Sequence, residues 1–130
     1  MKITVITAVY NAENTIKKTI ESVLAQEVKP YEYLIIDGES SDNTVKITES
    51  YRSAFETNNV IYRIVSERDS GIYDAFNKGV RLSMGEFIAF LNADDWYEPT
   101  ALKVVQETYT REPFDFAYGT IQYVGAKGNI

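Results

Sequence analysis

Residues 33–37 read YLIID, four apolar side chains in a row closed by a carboxylate, and Gly38-Glu39-Ser40-Ser41 follows at once. A short unbroken apolar run bounded by turn residues suits a strand covered on both faces, since a half-exposed strand would alternate with polar residues. The rest of the chain repeats that design. Residues 2–9 (KITVITAV) are β-branched and nearly continuous in apolar character, and residues 60–66 and 87–92 (FIAFLN) supply two more such runs. Between them the spacing turns helical. Ile16, Ile20, Val23 and Leu24 stand at i, i+4, i+7 and i+8 in a helix expected to end before Pro30; Ile47, Tyr51, Ala54 and Phe55 mark a second, and Ile72, Phe76, Gly79 and Val80 a third. Asn11 and Asp42 are placed to cap the first two helices, and Glu98-Pro99 to open a fourth. Residues 114–118 and 121–124, split by Gly119, are expected as two further strands. Strands alternating with helices imply parallel pairing through right-handed crossovers, hence an α/β fold whose mostly parallel sheet carries helices on both faces.

The chain has 130 residues, a length that suits a single domain over 1–130, with 13 Lys plus Arg against 19 Asp plus Glu, a formal charge of −6. Its 45% hydrophobic content is that of a globular protein. With no His and no Cys, imidazole triads, thiol nucleophiles, disulfides and structural zinc are excluded, so any metal must be held by oxygen. The acidic balance and scattered cations argue against a nucleic-acid partner. No stretch has the length of a membrane span or the pattern of a secretory signal, and a reducing, cytoplasmic setting is the expectation.

In an open parallel sheet, ligands bind beyond the carboxyl ends of the strands. The four expected strands run out at Val9-Tyr10-Asn11, at Asp37, at Ser66-Glu67-Arg68-Asp69 and at Asn92-Ala93-Asp94-Asp95. Neither a G-x-G-x-x-G nor a P-loop follows the first strand, which removes both common phosphate cradles. Asp94 and Asp95 repel one another unless a cation lies beside them, and a hard oxygen site of this kind suits Mg²⁺ or Mn²⁺ carried with a diphosphate. One Asp alone would read as a helix cap; the pair, on the same edge as Asp37, reads better as a site. Tyr10 offers a flat ring and Arg68 a phosphate partner, although a loop Tyr is more often packing or surface and a loop Arg is usually only solvated. Asn77 and Lys78 fall on a helix face where solvation is the simplest account.

Taken together, VITAVYN, LIIDGESSDNT, SERDSGIYDAFNKGV and GEFIAFLNADDWY resemble, in order and spacing, the N-terminal half of the inverting family 2 glycosyltransferases. The resemblance runs from Ile3 to about Tyr123. It implies a GT-A (Rossmann-like) fold cut short on its C-terminal side, with the acceptor-binding part and the general base expected beyond Ile130. It also implies that Val9, Tyr10, Asn11 and Asp37 hold the base of a nucleotide sugar, and that Asp94 and Asp95 bind its diphosphate through Mn²⁺ or Mg²⁺. Asn77, Gly79 and Gly85-Glu86 match the segment joining the third and fourth strands. The implied donor is a UDP-sugar, with a guanine nucleotide left open, and the implied acceptor a glycan or a lipid-linked glycan, with peripheral contact to the inner face of the membrane in the full enzyme. Two positions depart from the family. Ala8-Val9 replaces Pro-Thr, so a base contact from Val9 must come from its backbone, and Asn92 replaces an Asp, leaving the cation to Asp94 and Asp95. A non-catalytic nucleotide-binding or interaction domain of the same fold is the alternative reading. Self-association through Ile121, Tyr123 and Val124 is a further expectation.

Overall fold

In the computed structural model, which describes residues 1–125, every residue of β1 (Ile3–Val9) is buried, as is every residue of β2 (Glu32–Asp37). They form the centre of a four-stranded sheet ordered β3-β2-β1-β4, with β3 (Ile61–Ser66) and β4 (Phe87–Phe90) at its edges and every pairing parallel. On one face α1 (Ile16–Leu24), α2 (Thr44–Ser50), α3 (Arg52–Thr57) and α5 (Ala101–Arg111) contribute to a core in which Ile16, Ile20, Val23, Phe55 and Leu102 meet Val5, Tyr33 and Ile35. The opposite face carries α4 (Ile72–Leu82), seated by Ala75 on Ile6, Ala8, Leu34 and Ile36. Gly79 makes this seat possible, because a Cβ there would lie 2.6 Å from Ile6 Cγ2. On the other side Tyr33, Phe55 and Tyr62 pack as an aromatic trio with centroids 4.5–5.8 Å apart, each such pair adding about 0.5–1.5 kcal/mol to plain burial.

The amino edge of the sheet is tied down by a buried carboxylate. Glu32 accepts hydrogen bonds from the Thr4 hydroxyl (2.8 Å), the Met84 N–H (2.9 Å) and Arg63 (2.8 Å), while Arg63 also donates to the Leu82 carbonyl. Gly85 closes the same knot, since a Cβ would come within 2.8 Å of the Lys2 carbonyl. The turn between α4 and β4 is therefore fixed by charge and by contact, and because Glu32 is fully buried while Arg63 is partly exposed, leaving the carboxylate without its partner costs up to about 3–5 kcal/mol.

Several local expectations are corrected. Asn11 caps no helix: it holds a left-handed φ of 46°, which Asn tolerates, and α1 begins only at Ile16. The expected second helix is two short ones that meet at Tyr51, where the Thr48 carbonyl accepts the Tyr62 hydroxyl (2.7 Å) and, at 3.3 Å, the Tyr51 N–H three residues on. Asp42 does hold the first N–H of α2, at Thr44. On α4 the residues turned inward are Ala75 and Gly79, while Ile72 and Val80 stay more than two-fifths exposed. The fourth strand stops at Phe90 and the last helix starts at Ala101, two residues past Pro99. Residues 114–118 and 121–124 form no strands, because neither run joins the sheet; Phe116, Tyr118, Ile121 and Tyr123 stand at least 79% exposed.

Candidate functional site

At the carboxyl edge the register sets Val9 beside Asp37 and Asp37 beside Ser66, so three strand ends lie level. A cleft of about 510 Å³ opens there, lined by Ala8 and Val9 at the end of β1, by residues 10–12, Asn14 and Thr15 after it, by Ile72 at the start of α4 and by residues 92–94 after β4. Ala8, Val9, Tyr10, Asn11 and Asp94 are thus brought together. Tyr10 is 65% exposed at the rim. Asp94 and Asp95 are both exposed, and only Asp94 reaches the lining. Arg68 and Asn77 are exposed and lie outside it.

Asp37 lies on the same edge but is turned into the protein. Only 1% exposed, it accepts hydrogen bonds from the hydroxyl and N–H of Ser40 and, at 2.6 Å, from the Ser66 hydroxyl. Ser40 Oγ in turn accepts the Asn11 N–H at 2.8 Å, and Asn11 Oδ1 accepts the Ser41 N–H at 2.8 Å. A hydrogen-bonded chain therefore runs from Asp37 through Ser40 to the backbone of the cleft loop. Farther along the same seam, Thr44 Oγ1 accepts the Ala12 N–H, Asp42 accepts the Glu13 N–H, and Glu13 accepts the Asn43 N–H. The Thr44 hydroxyl and backbone bonds hold the Asp42 carboxyl below the usual carboxylate range. Sequence reasoning gave no site role to Ser40, Ser66, Asn14, Thr15 or Ile72. The dense run of Ser, Asp, Asn and Thr over residues 40–44 was the available signal, since such side chains bond neighbouring backbone.

The lining is acidic: Asp94 is its sole charged residue, and no Lys or Arg contributes to it. The N-terminal end of α4, at Ile72, adds the positive end of a helix dipole, partly met by Asp74 in its first turn. An anionic ligand entering here meets like charge unless a cation comes with it. Among the described residues no three carboxylates cluster closely enough to form a complete metal cage. Two exposed carboxylates nevertheless fit the habit of Mg²⁺ and Mn²⁺, which take one or two from protein and the rest from phosphate and water.

The sequence model of the family described as Glycosyl transferase family 2 matches residues 4–130. The chain belongs to that family. Chondroitin synthase of Escherichia coli is 30% identical over 122 residues, which cover 93% of this chain and 17% of that protein. The crystal structure of S. aureus TarS 1-349 in complex with UDP-GlcNAc is similar at 27% identity and a TM-score of 0.74, covering 85% of this chain and 32% of that one. The mannosyltransferase PcManGT from Pyrobaculum calidifontis, in complex with GDP-Man and Mn²⁺, is similar at 25% identity and a TM-score of 0.66 over 78% of this chain and 30% of its own. The family's GT-A fold is the architecture found here. The chain spans less than half the length of the relatives it matches. Among the described residues no helix is long and apolar enough to cross a membrane.

Proposed function

We propose that residues 1–130 form the donor-binding part of an inverting glycosyltransferase that takes a UDP-sugar, with the acceptor site and general base contributed by sequence outside this chain. The acceptor is a glycan or lipid-linked glycan, and the setting is polysaccharide synthesis in the cytoplasm, at the inner face of the membrane when the acceptor is lipid-linked. The observation that carries the reading is the cleft at the strand ends, which has one acidic wall and a flat ring at its mouth. TarS with UDP-GlcNAc is more similar to this chain than PcManGT with GDP-Man, which favours uracil.

On this reading Tyr10 covers one face of the base and the backbone at Val9 and Asn11 orients it. The buried Asp37 carboxylate uses three of about four lone-pair sites internally, so on this reading it serves the base through Ser40 and the cleft loop, and a direct bond to a base N–H would need it to turn toward the cleft. Asp94 and Asp95 hold Mn²⁺ or Mg²⁺; such an ion, when bound, supplies positive charge against the leaving diphosphate. Arg68, on the loop after β3, and Asn77, on α4, lie outside the cleft lining, and on this reading they reach the donor only from its outer side.

Calorimetry tests this directly. UDP is expected to bind more tightly with Mn²⁺ than with chelator, and Asp95→Asn to remove most of that gain, because uncompensated carboxylates repel diphosphate. Equal affinity with and without Mn²⁺ would overturn the metal role. Absence of UDP binding in both conditions would overturn the donor site itself.

A further inference from the structure

We propose that Thr19 and Ser22 of α1, with Gln26 just past its C-terminal end, are positioning residues for the loop after β4, holding its backbone so that Asp94 and Asp95 stand ready for a divalent cation and diphosphate. The proposal deepens the donor-site reading and rests on it. Thr19 and Ser22 stand three apart on one face of the helix, Gln26 follows the C-cap Ala25, and each of the three engages the peptide backbone that follows Asp94. Thr19 Oγ1 donates to the Asp95 carbonyl at 2.7 Å. Ser22 Oγ accepts the Tyr97 N–H at 3.2 Å while donating to the Thr19 carbonyl at 2.7 Å. Gln26 uses both ends of its amide: Nε2 donates to the Glu98 carbonyl at 2.7 Å and to the Ser22 carbonyl at 3.0 Å, and Oε1 accepts the Leu102 N–H at 3.0 Å, in the first turn of α5. Lys18, next on the helix, sets its ammonium 3.5 Å from the centre of the Trp96 ring.

Thr19 and Gln26 have no exposure at all, so their hydrogen bonds are made away from competing water and neither partner can be lost cheaply. The arrangement is unusual for a loop. Loop backbone ordinarily satisfies itself with water at the surface, whereas this one turns its peptides toward α1 and leaves its two carboxylates in solvent. Adjacent carboxylates repel, so a free loop would separate them. A loop ordered before the ligand arrives adds no ordering cost to binding. Outer partners that orient metal-binding groups commonly change metal affinity tenfold or more when removed.

Thr19→Val keeps the shape of the side chain and removes the hydroxyl; Thr19→Ser restores it. Trp96 is the single Trp of the chain, so its fluorescence anisotropy decay reports the loop without any ligand. Thr19→Val is expected to increase the internal motion of Trp96 and to cut the Mn²⁺-dependent gain in UDP affinity by about tenfold. UDP affinity in chelator should stay at the wild-type value, and Thr19→Ser should recover both properties. A purely structural role would change the thermal midpoint and lower both affinities together. Unchanged Trp96 order in Thr19→Val, or an unchanged Mn²⁺-dependent gain where the wild type shows one, overturns the positioning role and leaves the donor site standing. A wild-type chain with no Mn²⁺-dependent gain overturns the donor site's metal role and this proposal with it.

Discussion

Replacing Asp37 separates two ways in which a carboxylate at this edge can act. Asp37→Ala strips acceptors from the Ser40 hydroxyl, the Ser40 N–H and the Ser66 hydroxyl. Hydrogen bonds to a charged group contribute about 1.5–3 kcal/mol each when their donors cannot rehydrate. Ser66 is exposed and its hydroxyl can turn to water, so the loss falls mainly on the two Ser40 bonds. We expect destabilisation of about 3 kcal/mol in urea unfolding. Asp37→Asn keeps one acceptor oxygen and should lose about half as much. Binding supplies the discriminating arm. Ser40→Ala leaves the Asp37 carboxylate in place but removes the link to the Asn11 N–H. If Asp37 acts by holding the cleft loop, Ser40→Ala should weaken UDP binding about as much as Asp37→Ala does, roughly tenfold for the loss of one well-placed hydrogen bond, with and without Mn²⁺. Wild-type affinity in Ser40→Ala beside a tenfold loss in Asp37→Ala would refute the relay and assign Asp37 a direct contact with the base. Wild-type affinity in both would leave Asp37 no role in binding.

Gly79→Ala should destabilise the chain by about 1–2 kcal/mol: helix propensity favours Ala by about 1 kcal/mol, but overpacking costs roughly 1–3 or more when a Cβ falls 2.6 Å from a fully buried methyl. A more stable Gly79→Ala in urea unfolding would show that α4 is not seated on Ile6. Burial pushes the Tyr97 phenol up to about 12, and desolvation with a hydrogen bond to Glu21 does the same for Tyr51; Tyr33 and Tyr62 are raised as well. Below pH 10 these phenols are neutral folded or unfolded, while above it only the unfolded chain ionises readily. Stability should therefore hold up to about pH 10 and fall between 10 and 12, as read by denaturant midpoints taken across that range, and a flat profile would contradict the burial of these rings.

The centre of the sheet was legible in the sequence because two strands are buried on both faces: ITVITAV and YLIID carry no alternation, and a short apolar run closed by turn residues has few places to go except the middle of a covered sheet. Edge elements were harder. Late runs such as IQYV have strand composition, yet Phe116, Tyr118, Ile121 and Tyr123 find no partner strand among the described residues, and pairing is a tertiary fact that composition does not carry. Asn11 misled for a related reason. Its side chain serves either a helix cap or a left-handed turn, and the choice was made by Ser40 and Ser41, some thirty residues away. At the site, position along the strands located Tyr10, Asn11, Asp37 and Asp94 on one edge. Direction was not legible, because whether Asp37 faces the cleft or the interior depends on the Ser40 and Ser66 hydroxyls. Thr19 and Ser22 interrupt the apolar spacing of α1, Gln26 follows its end, and all three could have been noticed as polar residues in need of partners.

The contact at Gly79 also bears on how the cleft can respond to what enters it. Where a helix rests on a sheet through long side chains, rotamer changes let it glide; here backbone meets a methyl group with nothing between. Helix and central strand then behave as one solid piece, and Ile72, about two turns up the same helix, keeps its distance from Ala8 and Val9 whatever is bound. The cleft is a fixed gauge along that dimension, not a jaw. Its tolerance for ligands of different thickness is set by a residue that never meets them, and adjustment is left to the Tyr10 ring and to the exposed turn at Gly71.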